Sequence, residues 1–144
     1  IPVAWKEYVG TTVELSKAKV GDVVLFGSYE QDNIDSFIKM KEYCDEHGIK
    51  IISVQSALIP SRLKTQNMGD VHDYFDNLFG SMGVEFYDFN YGKWEYLYRT
   101  DEDYVDADGH MMGDIADRQS KLLVEVLKSD NPEQYFYNSY DEVK

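Results

Sequence analysis

An acidic loop near the end of the chain carries a histidine with carboxylates at short spacing. The segment "VDADGH" places Asp106 and Asp108 four and two residues before His110. A histidine that acts as a general base needs an acceptor at its second ring nitrogen, which fixes the tautomer and stabilises the imidazolium. Either aspartate is near enough along the chain to turn back onto the ring. The spacing therefore predicts an acid–base pair of His110 with Asp106 or Asp108.

The same segment also has a purely structural interpretation. It directly precedes "GDIADRQSKLLVEVL", whose apolar periodicity predicts an amphipathic helix that stops before Asn131-Pro132. Carboxylates ahead of a helix are favoured by the positive end of its dipole. On spacing alone the structural interpretation is the stronger one. The choice between a catalytic pair and a helix start therefore depends on the elements that position the loop.

The rest of the chain alternates strand-like and helix-like segments. Apolar, β-branched runs predict strands at 22–28, 49–58 (closed by Pro60) and 84–90. Between them, one helix is predicted from an Asp32 or Asn33 cap to Gly48, with Cys44 in the core, and another at 68–83. Right-handed crossovers then give a parallel sheet with helices on both faces. We predict a single three-layer α/β/α domain, flavodoxin-like, with 1–21 ambiguous, a core at 22–130 and a tail at 131–144.

Ligands bind such sheets at the carboxyl ends of the strands. That edge comprises Ser28, the segment 55–61 and the segment 88–90, and the loop with His110 has to reach it to contribute. Ser28 is a candidate nucleophile, although an ordinary strand-end serine is the stronger interpretation. Asn90 is a candidate substrate contact. Arg62 is placed to bind an anionic substrate group, with a solvated arginine as the alternative.

The connection at 91–104 is long and rich in aromatic residues. Its rings are compatible with a carbohydrate-stacking wall that includes Trp94. They are equally compatible with packing onto a segment upstream of Ile1, which we favour slightly. An exposed aromatic patch would be the sign of such packing. The rings concerned are Trp94, Tyr96, Tyr98 and Tyr104.

Composition excludes several classes of function. The 144 residues carry a formal net charge of −13, which argues against nucleic acid as a partner. The single cysteine excludes an internal disulfide and a cysteine-rich zinc site. We find no calcium loop, phosphate-binding glycine loop or dinucleotide fingerprint, and so expect no metal and no cofactor. No apolar run reaches transmembrane length, so we expect no membrane insertion by this segment.

Three stretches together resemble the C-terminal half of SGNH/GDSL-type hydrolases. They are "DNIDSFIKMKEYCDEHGIKIISVQSALIPSRL", "VHDYFDNLFGSMGVEFYDFN" and "DADGHMMGDIADRQSKLLVEVL". Within that superfamily the chain is most similar to the branch of the D-alanyl-lipoteichoic acid transfer protein and related bacterial cell-surface enzymes. The resemblance covers roughly 32–127 and rests on the order and spacing of several weak motifs.

The resemblance implies a serine nucleophile, a histidine base and an aspartate that orients it. His110 matches the histidine. The family's aspartate falls on Ala107, so Asp106 or Asp108 has to replace it. The branch's Asn and Gly after the histidine fall on Met112 and Ile115, while its alanine is kept at Ala116. The family's Gly-Asp-Ser turn has no clear match, because Ser28 follows Gly27 without the aspartate.

We therefore expect the C-terminal part of an SGNH-like serine esterase or acyltransferase that acts on an acylated cell-envelope glycan or polymer. Its nucleophile is expected upstream of Ile1 in the same polypeptide. The resemblance implies a location outside the cytoplasm, at the cell surface or membrane-associated through an N-terminal part. One alternative is a degenerate, non-catalytic SGNH-like binding or assembly module. Another is a complete small flavodoxin-like interaction domain.

Overall fold

The computed structural model of the chain describes residues 29–65, 68–106 and 109–143. Within these ranges the chain is a mixed α/β protein, in which two strands pair as a small parallel sheet. The helices and strands are α1 (Tyr29–Glu46), β1 (Ile52–Gln55), α2 (Pro60–Thr65), α3 (Met68–Ser81), β2 (Glu85–Asp88), α4 (Gly113–Lys128) and α5 (Tyr140–Val143). Short 3-10 turns follow β2 and precede the last two helices, at Phe89–Tyr91, Asp101–Asp103 and Pro132–Tyr135.

The α/β class predicted from the sequence is confirmed, and several boundaries differ. The predicted strand at 22–28 lies outside the described residues. β1 and β2 occupy the other two predicted strands but are shorter. α1 begins at Tyr29, ahead of the predicted cap at Asp32 or Asn33, because no glycine or proline interrupts the residues before the cap. Pro60 begins α2 instead of only closing a strand, since proline is well tolerated in the first turn of a helix.

Contacts divide the chain into two compact units. The first comprises the described residues up to Ser53 together with Asp70–Phe86. Its interior is built from aromatic rings: Phe79 lies 5.3 Å from Phe37 and 5.3 Å from Phe86 between ring centroids. Cys44, predicted to be in the core, is only half-buried, because α1 presents much of its apolar side to solvent.

The second unit comprises Val54–Gly69 and 87–143 and has a larger apolar core. Helix α4 contributes three buried side chains at helical spacing, which are Ile115, Leu122 and Val126. Leu127 is 45% exposed, because one residue beyond Val126 turns about 100° around the helix axis. The remaining buried members are Ala57, Leu63, Phe89, Tyr91, Leu97, Phe136 and Val143.

The tail after α4 closes this core. Phe136 forms an isolated antiparallel bridge with Gly92, and the Tyr137 amide donates to the Tyr91 carbonyl at 2.8 Å. Val143 in α5 is 3% exposed. The beginning of the aromatic connection after β2 is therefore held in place by the tail.

Candidate active site at the carboxyl edge

Both strands of the sheet end at one edge, and an asparagine bridges their ends within the second unit. Asn90 Oδ1 accepts a hydrogen bond from the Leu58 amide, three residues beyond β1, at 2.8 Å. The Asn90 amide in turn donates to Asp88 Oδ1, at the end of β2, at 2.9 Å. Asn90 is completely buried. It was predicted as a substrate contact, but the structure leaves it no surface for a substrate and gives it the role of a bridge.

The histidine lies on a hairpin that starts from the same region. Tyr104 and Met111 form an isolated antiparallel bridge. On either side of it, the Val105 amide donates to the His110 carbonyl at 2.8 Å and the Met112 amide to the Asp103 carbonyl at 2.9 Å. These bonds pair the segments 103–105 and 110–112 as the two arms of a short hairpin. Ala107 and Asp108 lie outside the described residues.

The hairpin reaches the carboxyl edge of the sheet, as a role for His110 requires. The Tyr104 hydroxyl donates to the carbonyls of Ala57 and Leu58, at 3.0 and 3.1 Å. Gly109 has a φ of +92°, and a Cβ added to it would lie 3.3 Å from Leu58 Cδ2. Glycine at this position therefore permits both the left-handed backbone and the close approach.

Asp106 holds His110 in a defined orientation. The His110 Nδ1 lies 2.6 Å from Asp106 Oδ2, and the His110 amide donates to Asp106 Oδ1 at 3.3 Å. An ionised carboxylate only accepts hydrogen bonds, so Nδ1 carries the hydrogen and a neutral ring has its lone pair at Nε2. The His110 side chain is 74% exposed. The structure brings Asp106 to the ring, while Asp108, the other aspartate left open by the sequence, lies outside the described residues.

A buried arginine supports the aromatic connection beside this edge. Arg99 is 2% exposed, and its guanidinium donates to the carbonyls of Asn90 at 3.1 Å, Leu97 at 3.2 Å and Gly92 at 3.4 Å. Burial lowers the pKa of Arg99, an effect opposed by Tyr104 and Asp88. The sequence analysis did not identify this residue. The available signal was one arginine within an otherwise aromatic and apolar stretch, "YLYRT".

Tyr104 and Trp94 face the interior and do not form an exposed wall. Burial is the main reason that the pKa of Tyr104 is raised to about 12, so its hydroxyl is a neutral donor near pH 7. Trp94 is half-buried, and the Arg99 guanidinium lies 4.2 Å from its ring centroid. The Arg99 guanidinium thus covers one face of the Trp94 ring, and that face is not open to a sugar. Tyr96 and Tyr98 remain 43% and 66% exposed.

The other residues singled out in the sequence are on further helices or outside the described residues. Ser28 is outside the described residues. Arg62 lies on α2, half-exposed. His72 on α3 is half-buried, and its ring centroid lies 5.8 Å from that of Phe86.

Neither a metal cluster nor a membrane span is found in the described ranges. No group of three or more His, Cys, Asp or Glu side chains there is arranged to hold a metal ion. No helix in the same ranges is long and apolar enough to cross a bilayer. Comparison with protein-family models, with curated proteins and with solved structures gives no significant match.

Proposed function

We propose that this chain supplies the acid–base half of a serine esterase or acyltransferase of the SGNH-like type. The observation that carries the proposal is the 2.6 Å pairing of Asp106 with His110 on a hairpin that packs against the carboxyl end of β1. An exposed imidazole whose Nδ1 is oriented by a carboxylate is what a general base requires. Ligand sites of parallel sheets lie at this edge.

The proposed reaction has two steps. In the first, Nε2 of His110 accepts the proton of a serine hydroxyl while the serine oxygen attacks the ester carbonyl. His110 then gives that proton to the departing alcohol, leaving an acyl-serine. In the second, Nε2 deprotonates water or an acceptor alcohol as its oxygen attacks the acyl-serine, and the imidazolium then returns the proton to the departing serine oxygen. Asp106 orients the ring and stabilises the imidazolium in both steps.

The serine is assigned to an upstream part of the same polypeptide. The 144 residues contain no Gly-Asp-Ser turn, and Ser28 is the fallback candidate. In this proposal β1 and β2 belong to a wider parallel sheet between two helical layers. An acylated cell-envelope glycan or polymer as substrate, and a location outside the cytoplasm, rest on the family resemblance alone.

A non-catalytic module of the same fold is the second candidate. The observation in its favour is that Ile115, at a position where the resembling branch has glycine, is completely buried in the core. A position used for packing in this way has lost its family-specific role. The module would keep the fold and the exposed histidine without turnover.

The test begins with the native polypeptide. An antibody raised against this chain should detect a product more than twice 16.7 kDa. The purified product should hydrolyse p-nitrophenyl acetate and be labelled by a fluorophosphonate at one serine. His110→Gln should reduce the turnover by orders of magnitude.

The matched control is His47→Gln, which changes an exposed histidine at the end of α1. Its Nδ1 pairs with the Tyr43 carbonyl at 2.7 Å. This variant should keep full turnover. A labelled, active product whose turnover survives His110→Gln would remove His110 from the mechanism. A full-length product without a reactive serine would favour the non-catalytic module.

A further inference from the structure

The bridge made by Asn90 lies one contact away from the hairpin of His110. Asn90 Oδ1 binds the amide of Leu58, and the side chain of the same Leu58 packs where Gly109 passes. Gly109 directly precedes His110 in the chain. A displacement of Leu58 would therefore change the surface on which the histidine hairpin lies.

The choice of an asparagine at this position has a visible cost. Its Nδ2 is buried without a hydrogen-bond partner in the described structure. An unsatisfied buried donor is destabilising, and an apolar residue would avoid that loss. An aspartate would offer the same acceptor but would place a second carboxylate beside buried Asp88. The asparagine side chain supplies a neutral acceptor for the Leu58 amide. We infer that this acceptor is the reason for an asparagine at the position.

The backbone of Asn90 is fixed from two further directions. Its amide is held by Asp88, and its carbonyl accepts from Arg99 Nη2. With the main chain restrained on both sides, Oδ1 is a rigid point of attachment for Leu58.

We propose that Asn90 is a positioning residue for His110, acting through Leu58 and Gly109. It sets where the Asp106–His110 pair stands relative to the sheet edge and leaves the pair itself unchanged. This inference rests on the proposed function of His110 as the base. Asn90 is not a catalytic residue, since it is completely buried.

The experiment compares the chain with its Asn90→Ala and Leu58→Ala variants by NMR. Leu58→Ala keeps the acceptor Oδ1 of Asn90 but removes the side chain that Gly109 contacts. This variant tests the same relationship if Asn90→Ala does not fold. In both variants the NOE between Gly109 and residue 58 should weaken or vanish. The backbone order parameter at His110 should fall from a rigid value of about 0.85 toward about 0.6. The ring nitrogen shifts should still report a hydrogen on Nδ1, because Asp106 remains.

Val84→Ala is the control for a general loss of stability. Val84 is 5% exposed and belongs to the first unit, so its truncation should leave the order parameter at His110 unchanged. In the complete protein, Asn90→Ala should lower kcat about 10- to 100-fold with little change in KM, as expected for a misplaced base.

Unchanged hairpin order in both Asn90→Ala and Leu58→Ala would overturn the positioning role, whatever the activity. A matching loss of order in Val84→Ala would also overturn it. The expected NMR changes in a protein that proves to have no esterase activity would leave the positioning relationship standing and refute the proposed function instead.

Discussion

Gly109 lies against the side chain of Leu58, and this contact brings the hairpin of His110 to the carboxyl end of β1. The approach is close enough that a single methyl group would meet Leu58 Cδ2 at 3.3 Å. Sequence spacing predicts that an aspartate can reach the histidine. The contact between Gly109 and Leu58 shows, in addition, where the Asp106–His110 pair lies relative to the sheet.

Gly109→Ala should destabilise the chain by about 2 kcal/mol, because alanine adds left-handed strain and crowds Leu58. Urea unfolding measures the change. Gly113→Ala, where an added Cβ has no atom within 4 Å, is the matched control and should be neutral or slightly stabilising. Equal losses in the two variants would contradict the contact.

Tyr104 should make the stability of the chain fall at alkaline pH. Its pKa is about 12 in the folded chain against 10.0 in an ordinary tyrosine, so the unfolded chain loses the proton first. The stabilising contribution is complete below about pH 10 and is lost as the pH rises toward 12. Tyr140, whose pKa is also raised by burial, acts in the same direction.

Urea unfolding at pH 7 and at pH 11 tests this dependence with Tyr104→Phe. The variant should lose about 1 kcal/mol at pH 7, because its hydrogen bonds to two carbonyls are gone, and should show a smaller alkaline decline. Tyr43→Phe, at a 57% exposed position, should follow the parent chain at both pH values. An alkaline decline as steep in Tyr104→Phe as in the parent would contradict the assignment.

Arg99→Lys should cost about 2–3 kcal/mol despite the conserved charge. One ammonium group cannot serve three separated carbonyls and stack on Trp94 as the planar guanidinium does. Thermal or urea unfolding gives the number. Arg62→Lys, at a half-exposed position on α2, should stay within about 0.5 kcal/mol of the parent. A similar small effect at Arg99 would show that the carbonyl contacts contribute little.

Asp106→Asn should lower esterase turnover in the complete protein by about 10²- to 10⁴-fold with the fold intact. The amide does not stabilise the imidazolium and favours the wrong tautomer. Steady-state hydrolysis of p-nitrophenyl acetate measures the effect. Asp114→Asn, an exposed carboxylate in the first turn of α4, should be silent. Full turnover in Asp106→Asn would separate the pair from catalysis.

The elements with strong periodicity were predictable from the sequence. Helices α3 and α4 and the centres of β1 and β2 lie where the apolar pattern places them. The start of α1 was not predictable, because no single residue near it marks a boundary. The existence of α2 was not predictable either, because a proline is compatible both with the end of a strand and with the first turn of a helix.

The site was predictable only in part. The loop and its histidine follow from residue types, and the contact of Asp106 with the ring required the backbone geometry of the hairpin. Arg99 and the bridging role of Asn90 depend on contacts with residues far along the chain, such as Leu58, which a local pattern does not encode. Whether an aromatic ring of the connection is exposed depended in the same way on Arg99 stacking against Trp94.

The burial of Val143 has a consequence for how the protein is made. The core of the second unit includes this residue, which lies in the last helix described, and Phe136 from the tail just before it. During synthesis the ribosome releases β1, β2 and the aromatic connection long before it releases these side chains. The nascent chain must therefore hold Leu97, Phe89 and their neighbours without their final cover. Folding of this unit is therefore completed only after the segment with Phe136 and Val143 has been synthesised.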